Sequence, residues 1–142
     1  MKAQKILEEE RFPAGLGGVT PRILLVSEDP DDMARIHLLL ADLGATIVPC
    51  GSYQEASDIL SRQSFDLAVV GQGSVAFEGD GVLERARDLH LRTPIVVVSR
   101  AADMGSYIRA MELGAVDYFE AGTMPRLMLG VLEAYLGLRQ AA

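Results

Sequence analysis

Five short apolar runs, each followed by an amphipathic stretch, constrain the fold of this chain more than any other feature. The runs are apolar on both faces and rich in β-branched residues, which is typical of parallel strands covered by helices. Short connections between successive elements predict right-handed crossovers and a doubly wound α/β sandwich. We expect strands at 22–26, 45–49, 65–70, 94–98 and 115–119, in the spatial order 2-1-3-4-5.

Capping residues place the helices between these strands. Asp29 before Pro30 is typical of a helix start, and Ser52 predicts the start of the second helix. Gly44 is suited to end the first helix. The other three helices are expected at about 82–90, 102–113 and 124–139, the last one after Thr123.

The candidate site follows from the strand order. In an open parallel sheet, ligands bind beyond the carboxyl ends of the strands, at the point where the strand order reverses. Here that point lies between the first and third strands. The residues of interest are therefore 27–29, 71–75, 99–101 and 120–122.

Residues 1–21 differ from the rest of the chain. The stretch KAQKILEEER can form a short helix, and FPAGLGGVTP is a Pro/Gly-rich connector. We interpret 1–21 as an N-terminal appendage and linker, and 22–142 as one domain. The appendage either contacts the domain or a partner through Ile6, Leu7 and Phe12, or stays in solvent.

Composition excludes several classes of protein. Twenty acidic and 13 basic residues give a net charge of −7, and the bases are scattered, so nucleic-acid binding is not expected. Cys50 is the only cysteine, so the chain has neither an internal disulfide nor a multi-cysteine metal site. No apolar run approaches the ~20 residues that span a bilayer, and the charged start is unlike a signal peptide. We therefore expect a cytoplasmic protein.

Four stretches in this order and spacing resemble a known family. RILLVSEDPDD, FDLAVV, TPIVVVSR and GAVDYFEAG are similar to the successive strand ends of a response-regulator receiver domain, the CheY-like family with a flavodoxin-like fold. The resemblance runs from about Arg22 to Leu138. It implies a role in two-component signalling, in which an aspartate at the end of the third strand accepts a phosphoryl group.

The resemblance also assigns positions in the phosphorylation pocket. The family places an acidic pair after strand 1, a Ser or Thr after strand 4, an aromatic residue in strand 5 and a lysine after it. In this chain these positions hold Ser27 and Glu28 (acidic pair), Gly71 (phosphoacceptor), Ser99 (hydroxyl), Tyr118 (aromatic), Ala121 (lysine) and Gly122 (the proline after it).

These replacements predict a receiver scaffold without the phosphorylation chemistry. Gly71 has no side chain to phosphorylate, and Glu28 alone does not supply the oxygen ligands that Mg²⁺ requires. The possible switch pair, Ser99 and Tyr118, is kept. We therefore expect no catalytic residue, no metal, no cofactor and no enzymatic activity. The alternative is that both residues have purely structural roles. Ser99 would then be a hydroxyl that bonds to the backbone at a strand end, and Tyr118 an aromatic ring packed on the fourth helix.

Arg100 follows Ser99, where receivers commonly carry a small residue. Its long planar cation could turn inward over the vacated pocket and contact the carboxylate of Glu28 or Asp29, replacing the lost lysine. The alternative is that the side chain extends into solvent.

Three functions are compatible with these features. The leading hypothesis is a stand-alone pseudo-receiver that binds a signalling protein without phosphorylation, through the face that the family uses for docking and dimerisation: helix 4, strand 5 and helix 5. The second is a small-ligand sensor, and the third is phosphorylation on some other residue. Homodimerisation through the docking face would use four charged residues: Arg109, Glu112, Asp117 and Glu120. The pocket of a small-ligand sensor would be bordered by four small residues: Gly71, Gly73, Ala121 and Gly122.

Overall fold

Strands and helices alternate along the whole described part of the chain. The computed structural model describes residues 20–122 and 125–141. The strands are β1 (Arg22–Val26), β2 (Thr46–Cys50), β3 (Leu67–Gly71), β4 (Ile95–Ser99) and β5 (Asp117–Glu120). The helices are α1 (Pro30–Leu40), a 3-10 turn (Ala41–Leu43), α2 (Tyr53–Arg62), α3 (Asp80–Asp88), α4 (Met104–Glu112) and α5 (Pro125–Ala141).

The five strands form one parallel sheet in the order β2-β1-β3-β4-β5, which confirms the predicted fold. Val26 is level with Val70, Gly71 with Val98, and Ser99 with Glu120. Because each of these partners is the last or next-to-last residue of its strand, the strand ends lie along one edge of the sheet. The register therefore brings the loops that follow β1, β3, β4 and β5 together.

Two apolar layers cover the sheet because alternate strand residues face opposite sides. Leu24 and Val26 face the layer formed by α2, α3 and α4. Ile23 and Leu25 face the layer formed by α1 and α5, which includes Met128 and Leu132. β3 and β4 are buried along their entire length, as central parallel strands are expected to be.

The predicted caps are confirmed. The Asp29 carboxylate accepts hydrogen bonds from the backbone N–H groups of Asp31 and Asp32 and starts α1. The Ser52 hydroxyl accepts one from the N–H of Glu55 and starts α2. Gly44 adopts a left-handed φ of 66° and ends the 3-10 turn after α1.

Several elements have bounds that differ from the prediction by one or two residues, and two of these differences have a local cause. α3 spans 80–88 instead of 82–90, because the helix already begins after Gly79 and the chain leaves it at His90, whose φ is 54°. β5 begins at Asp117 instead of 115, because Gly114 has a φ of 96° and Ala115 is still bonded to the end of α4, through Ala110.

Some predictions lie outside the described residues. These are the start of the last helix after Thr123 and the appendage through residue 19, with the contacts proposed for Ile6, Leu7 and Phe12. Within 20–122 and 125–141, no helix combines the length and the apolar character needed to cross a membrane.

Candidate functional site

A crevice of about 500 Å³ lies at the carboxyl ends of β1 and β3. Its walls come from the loop after β1, the start of α1, the start of α2 and the loop after β3. Charged groups dominate this lining: Glu28, Asp29, Asp32, Glu78 and Arg100. The crevice therefore combines four carboxylates with one guanidinium.

Gly71, at the predicted phosphoacceptor position, ends β3 and is buried. Its carbonyl oxygen accepts a 2.8 Å hydrogen bond from the Tyr53 hydroxyl. A Cβ on Gly79 would lie 2.4 Å from that oxygen, which is too close for a carbon atom. Only glycine therefore fits at position 79 without a shift of the backbone. A Cβ on Gly71 itself would lie 3.2 Å from the carbonyl oxygen of Val26. The end of β3 is thus covered by Tyr53 and Gly79.

Ser27 and Glu28, at the positions of the acidic pair, serve the neighbouring backbone. The buried Ser27 hydroxyl donates to the carbonyl of Asp29 and accepts from its N–H, both at 3.2 Å. The Glu28 carboxylate accepts a 3.2 Å hydrogen bond from the N–H of Tyr53, at the start of α2. Both side chains therefore hold loop geometry at the edge of the crevice.

Arg100 lies across the crevice toward α1. Its Nη1 is 3.4 Å from the Asp29 carboxylate, and its Nε is 3.1 Å from the carboxylate of Asp32. Asp32, which sequence reasoning missed, also contacts Arg35 at 3.1 Å. Of the two partners expected for Arg100, the structure brings Asp29 to it, whereas Glu28 bonds to Tyr53. The ion pairs link the loop after β4 to the first turn of α1.

Tyr53 occupies the wall of the crevice, and its environment opposes ionisation. Burial raises the pKa of the Tyr53 hydroxyl to about 12, and the charges of Glu28, Glu78 and Asp32 act in the same direction. Arg100 acts in the opposite direction and is outweighed. The hydroxyl therefore stays protonated at ordinary pH and keeps donating to the Gly71 carbonyl.

The loop after β3 is closed by Glu78. Its carboxylate accepts hydrogen bonds from the Ser74 N–H, at 2.6 Å, and from the Ser74 hydroxyl, at 2.7 Å. The Ser74 hydroxyl bond, followed by the backbone bond, holds the pKa of the Glu78 carboxyl below its usual range. Gly73, with a φ of 87°, makes the turn possible. Sequence reasoning did not single out Glu78.

Ser99 has a local role at the end of β4. It is buried, and its hydroxyl donates to the carbonyl of Ala101 at 2.8 Å and accepts from the N–H of the same residue at 3.2 Å. These bonds shape the loop that leads from β4 to α4.

Tyr118, the other member of the predicted switch pair, is anchored at both ends. Its ring meets Tyr107 edge to face with centroids 5.8 Å apart, so it packs on α4. Its hydroxyl donates a short hydrogen bond to the side-chain oxygen of Gln72. Gln72 lies in the range 71–75 that the strand order singled out, but no role was predicted for its side chain, although a polar residue directly after a buried strand is a signal that could have suggested one.

The small residues expected to border the crevice are not all found there. Gly73 lines it. Ala121 instead packs against the apolar layer between the sheet, α1 and α5, and Gly71 lies beneath Tyr53. The exposed Gly122, with a φ of 84°, makes the turn after β5. The prediction was therefore wrong for Gly71, which Tyr53 covers. It was also wrong for Ala121 and Gly122, because the end of β5 lies two strands away from the crevice.

The charged residues predicted for a dimer face are largely engaged within the subunit. Arg109 contacts Asp80 at 3.7 Å and Glu84 at 3.5 Å, both on α3. Glu120 accepts a 2.8 Å hydrogen bond from the N–H of Ala102. Asp117 accepts one from the N–H of Tyr118, and Glu112 is exposed. Exposed apolar side chains are more prominent on α4: Met104, Tyr107, Ile108 and Met111.

The residues of the crevice do not fit the Mg²⁺ that the family resemblance implies. Mg²⁺ requires near-octahedral oxygen ligands, including carboxylates free to converge. Asp29 caps α1 and pairs with Arg100, Glu28 is bonded to Tyr53, and Gly71 offers no carboxylate. Within the described ranges, no three His, Cys, Asp or Glu side chains are placed to hold a metal ion together.

The open parallel sheet, with polar side chains gathered at its carboxyl edge, defines a doubly wound α/β protein of the flavodoxin-like class. The profile of the response regulator receiver domain matches residues 23–128, and the chain belongs to this family. It is therefore a receiver domain of two-component signalling.

Curated relatives share this domain. The chain is 26% identical over 122 residues to the alginate biosynthesis transcriptional regulatory protein AlgB of Pseudomonas aeruginosa, a match covering 84% of the chain and 26% of AlgB. It is 22% identical over 97 residues to the response regulator protein PilR of the same organism, covering 68% of the chain and 22% of PilR. The chain thus spans about a quarter of the length of these relatives.

Solved structures have the same fold. A CheY-like receiver domain protein from Methanospirillum hungatei superposes with a TM-score of 0.74 at 21% identity, covering 87% of this chain and 98% of that one. The signal receiver domain of an HD domain-containing protein from Pseudomonas fluorescens gives a TM-score of 0.75 at 20% identity, covering 87% and 100%. At these identities the likeness concerns the fold.

Proposed function

We propose that this chain is a degenerate receiver that signals by binding a protein partner and does not accept a phosphoryl group. The observation that carries the proposal is the covered end of β3, where Gly71 stands at the phosphoacceptor position and Tyr53 and Gly79 enclose its carbonyl oxygen. The pairing of Asp29 with Arg100 supports it, because this carboxylate already has a cationic partner within the chain. On this proposal the chain has no enzymatic activity and needs no cofactor.

The docking surface in this proposal is the α4–β5–α5 face. Four apolar side chains of α4 are exposed at the spacing i, i+3, i+4 and i+7, which places them on one side of the helix: Met104, Tyr107, Ile108 and Met111. Leu127 of α5 is also 55% exposed. A row of exposed apolar residues favours a protein contact, either with a signalling partner or with a second copy of the chain.

The experiment is incubation with acetyl phosphate and Mg²⁺, followed by intact-mass measurement. We expect no added mass, while a receiver domain that does accept a phosphoryl group gains one under the same conditions. A Mg²⁺-dependent increase of one phosphoryl group would contradict the proposal, and peptide mapping would then locate the alternative acceptor.

The crevice favours a second function, that of a small-ligand sensor. Its volume of about 500 Å³ is large enough for a metabolite, since ligand pockets span roughly 300–1,000 Å³. Arg100 and the four carboxylates would select a polar, charged ligand. Thermal-shift screening against pooled metabolites tests this function, with Arg100→Ala as the variant that should lose any stabilisation.

A further inference from the structure

Gln72, the residue directly after Gly71, is a buried amide with an unusually complete set of partners. The residue is 2% exposed. The amide oxygen accepts from the Tyr118 hydroxyl on β5. The amide nitrogen donates to the Ser74 carbonyl at 3.0 Å and to the Asp103 carboxylate at 3.1 Å. One side chain thus connects the end of β3 to β5, to the crevice loop and to the start of α4.

These contacts form a closed ring with Tyr118 and Asp103. The N–H of Asp103 donates to the Tyr118 hydroxyl at 3.4 Å. The other oxygen of the Asp103 carboxylate accepts from the N–H of Ser106 at 2.8 Å and caps α4. Each member of the ring therefore holds the other two, and the ring sets where α4 begins.

The ring is sensitive to the loss of one member because Gln72 is buried and Tyr118 and Asp103 are partly buried. A buried polar group that loses its partner keeps the desolvation penalty without the compensating bond. Tyr118 would then have to turn toward solvent or draw water into the interior. Either change would release the first turn of α4, which carries the exposed Met104 and Tyr107.

We propose that Gln72 is a positioning residue for the α4–β5 face, holding Tyr118 and the N-terminus of α4 in one arrangement by permanent hydrogen bonds. The proposal rests on the proposed function, in which this face binds a partner without phosphorylation. On this proposal, the side-chain amide of Gln72 links the crevice to the α4–β5–α5 face. The surface is then set by the crevice loop, since Gln72 also bonds to Ser74.

The test uses Gln72→Leu, which keeps the approximate size of the side chain and removes all three hydrogen bonds. Gln54→Leu is the matched control, because Gln54 is exposed on α2. The protein carries 3-fluorotyrosine at its four tyrosines, and Tyr118→Phe identifies the Tyr118 resonance in the fluorine NMR spectrum. Hydrogen exchange is measured at the amides of Asp103 and Ser106.

We expect Gln72→Leu to shift or broaden the Tyr118 resonance and to raise exchange at Asp103 and Ser106 on the order of tenfold, as loss of about one hydrogen bond's net stability predicts. The control should leave both unchanged. In the double variant with Tyr118→Phe, exchange should rise by less than the product of the two single effects, because the two groups act on one ring. An unchanged Tyr118 resonance with unchanged exchange in Gln72→Leu would overturn the proposal.

A second variant keeps the test decisive if Gln72→Leu does not fold. Gln72→Glu retains an oxygen that accepts from Tyr118 but replaces the donor to Asp103 with a like charge. We expect the Tyr118 resonance to be kept while exchange at Ser106 rises, and unchanged exchange would contradict the inference. These measurements do not depend on a phosphoryl group or a partner. They can therefore contradict the role of Gln72 while the acetyl phosphate experiment supports the proposed function, and they can support that role while the acetyl phosphate experiment contradicts the proposed function.

Discussion

The Tyr53 hydroxyl donates a 2.8 Å hydrogen bond to the carbonyl oxygen of Gly71, so the first turn of α2 covers the end of β3. Gly79 closes the same oxygen from another side, since a Cβ there would lie 2.4 Å away. The strand end that the family resemblance assigns to phosphorylation is thus part of a packed contact. This relationship supports the proposed function and leads to the first two predictions.

Gly79→Ala should destabilise the domain, because the added methyl group meets the Gly71 carbonyl oxygen. We expect a loss of about 1–3 kcal/mol in the free energy of unfolding, the usual cost of overpacking. Chemical denaturation measures it. Gly81→Ala in α3 is the control, because nothing lies within 4 Å of its Cβ, and it should stabilise the helix by up to about 1 kcal/mol. Equal stability of the two variants would refute the close approach of Gly79.

Tyr53→Phe should change stability at alkaline pH. The pKa of Tyr53 is raised to about 12 in the folded protein, against about 10 in an unfolded chain. Its neutral form therefore contributes stability that is fully present below about pH 10 and is lost as the pH rises toward 12. We expect the free energy of unfolding to fall over this window in the wild type, and less steeply in Tyr53→Phe. The same slope in both proteins would contradict the assignment.

Arg100→Ala should lower stability in a salt-dependent manner. The guanidinium contacts Asp29 and Asp32, but its side chain is 55% exposed, so the loss should be about 0.5–1 kcal/mol at low salt and smaller at high salt. Arg87→Ala is the control, because Arg87 is equally exposed and its Nε lies 4.0 Å from the Asp88 carboxylate, at the limit of an ion pair. We expect this variant to change stability little at either salt concentration. Denaturation at two salt concentrations tests the contribution of these ion pairs, and a salt-independent effect would count against it.

Homodimerisation through the α4–β5–α5 face should depend on apolar contacts, because Arg109 is held by Asp80 and Glu84. We expect Ile108→Glu to weaken self-association by tenfold or more, as loss of a desolvated apolar contact does. Leu38→Glu, on the exposed side of α1, should have no effect. Analytical ultracentrifugation measures both. A wild-type protein that stays monomeric at high concentration would contradict dimerisation.

Local features could be predicted because the residues that form them are neighbours in the chain. The apolar runs gave the strands to within about two residues, since burial on both faces leaves a continuous pattern. The carboxylate of Asp29 and the hydroxyl of Ser52 bond to N–H groups two or three residues away. The position of His90 at a left-handed φ was not predicted, because such a conformation is unusual outside glycine.

The sequence by itself determined the class of the fold, the strand order and the positions that stand at the strand ends. It also indicated that Arg100 could contact Glu28 or Asp29, because residues after parallel strands share one edge. Tertiary structure alone decided what those positions contact. Tyr53 meets Gly71 across 18 residues, and Tyr118 meets Gln72 across 46. Such pairs depend on how the crossovers and loops place side chains from distant segments next to each other. Neither periodicity nor local propensity predicts these long-range contacts.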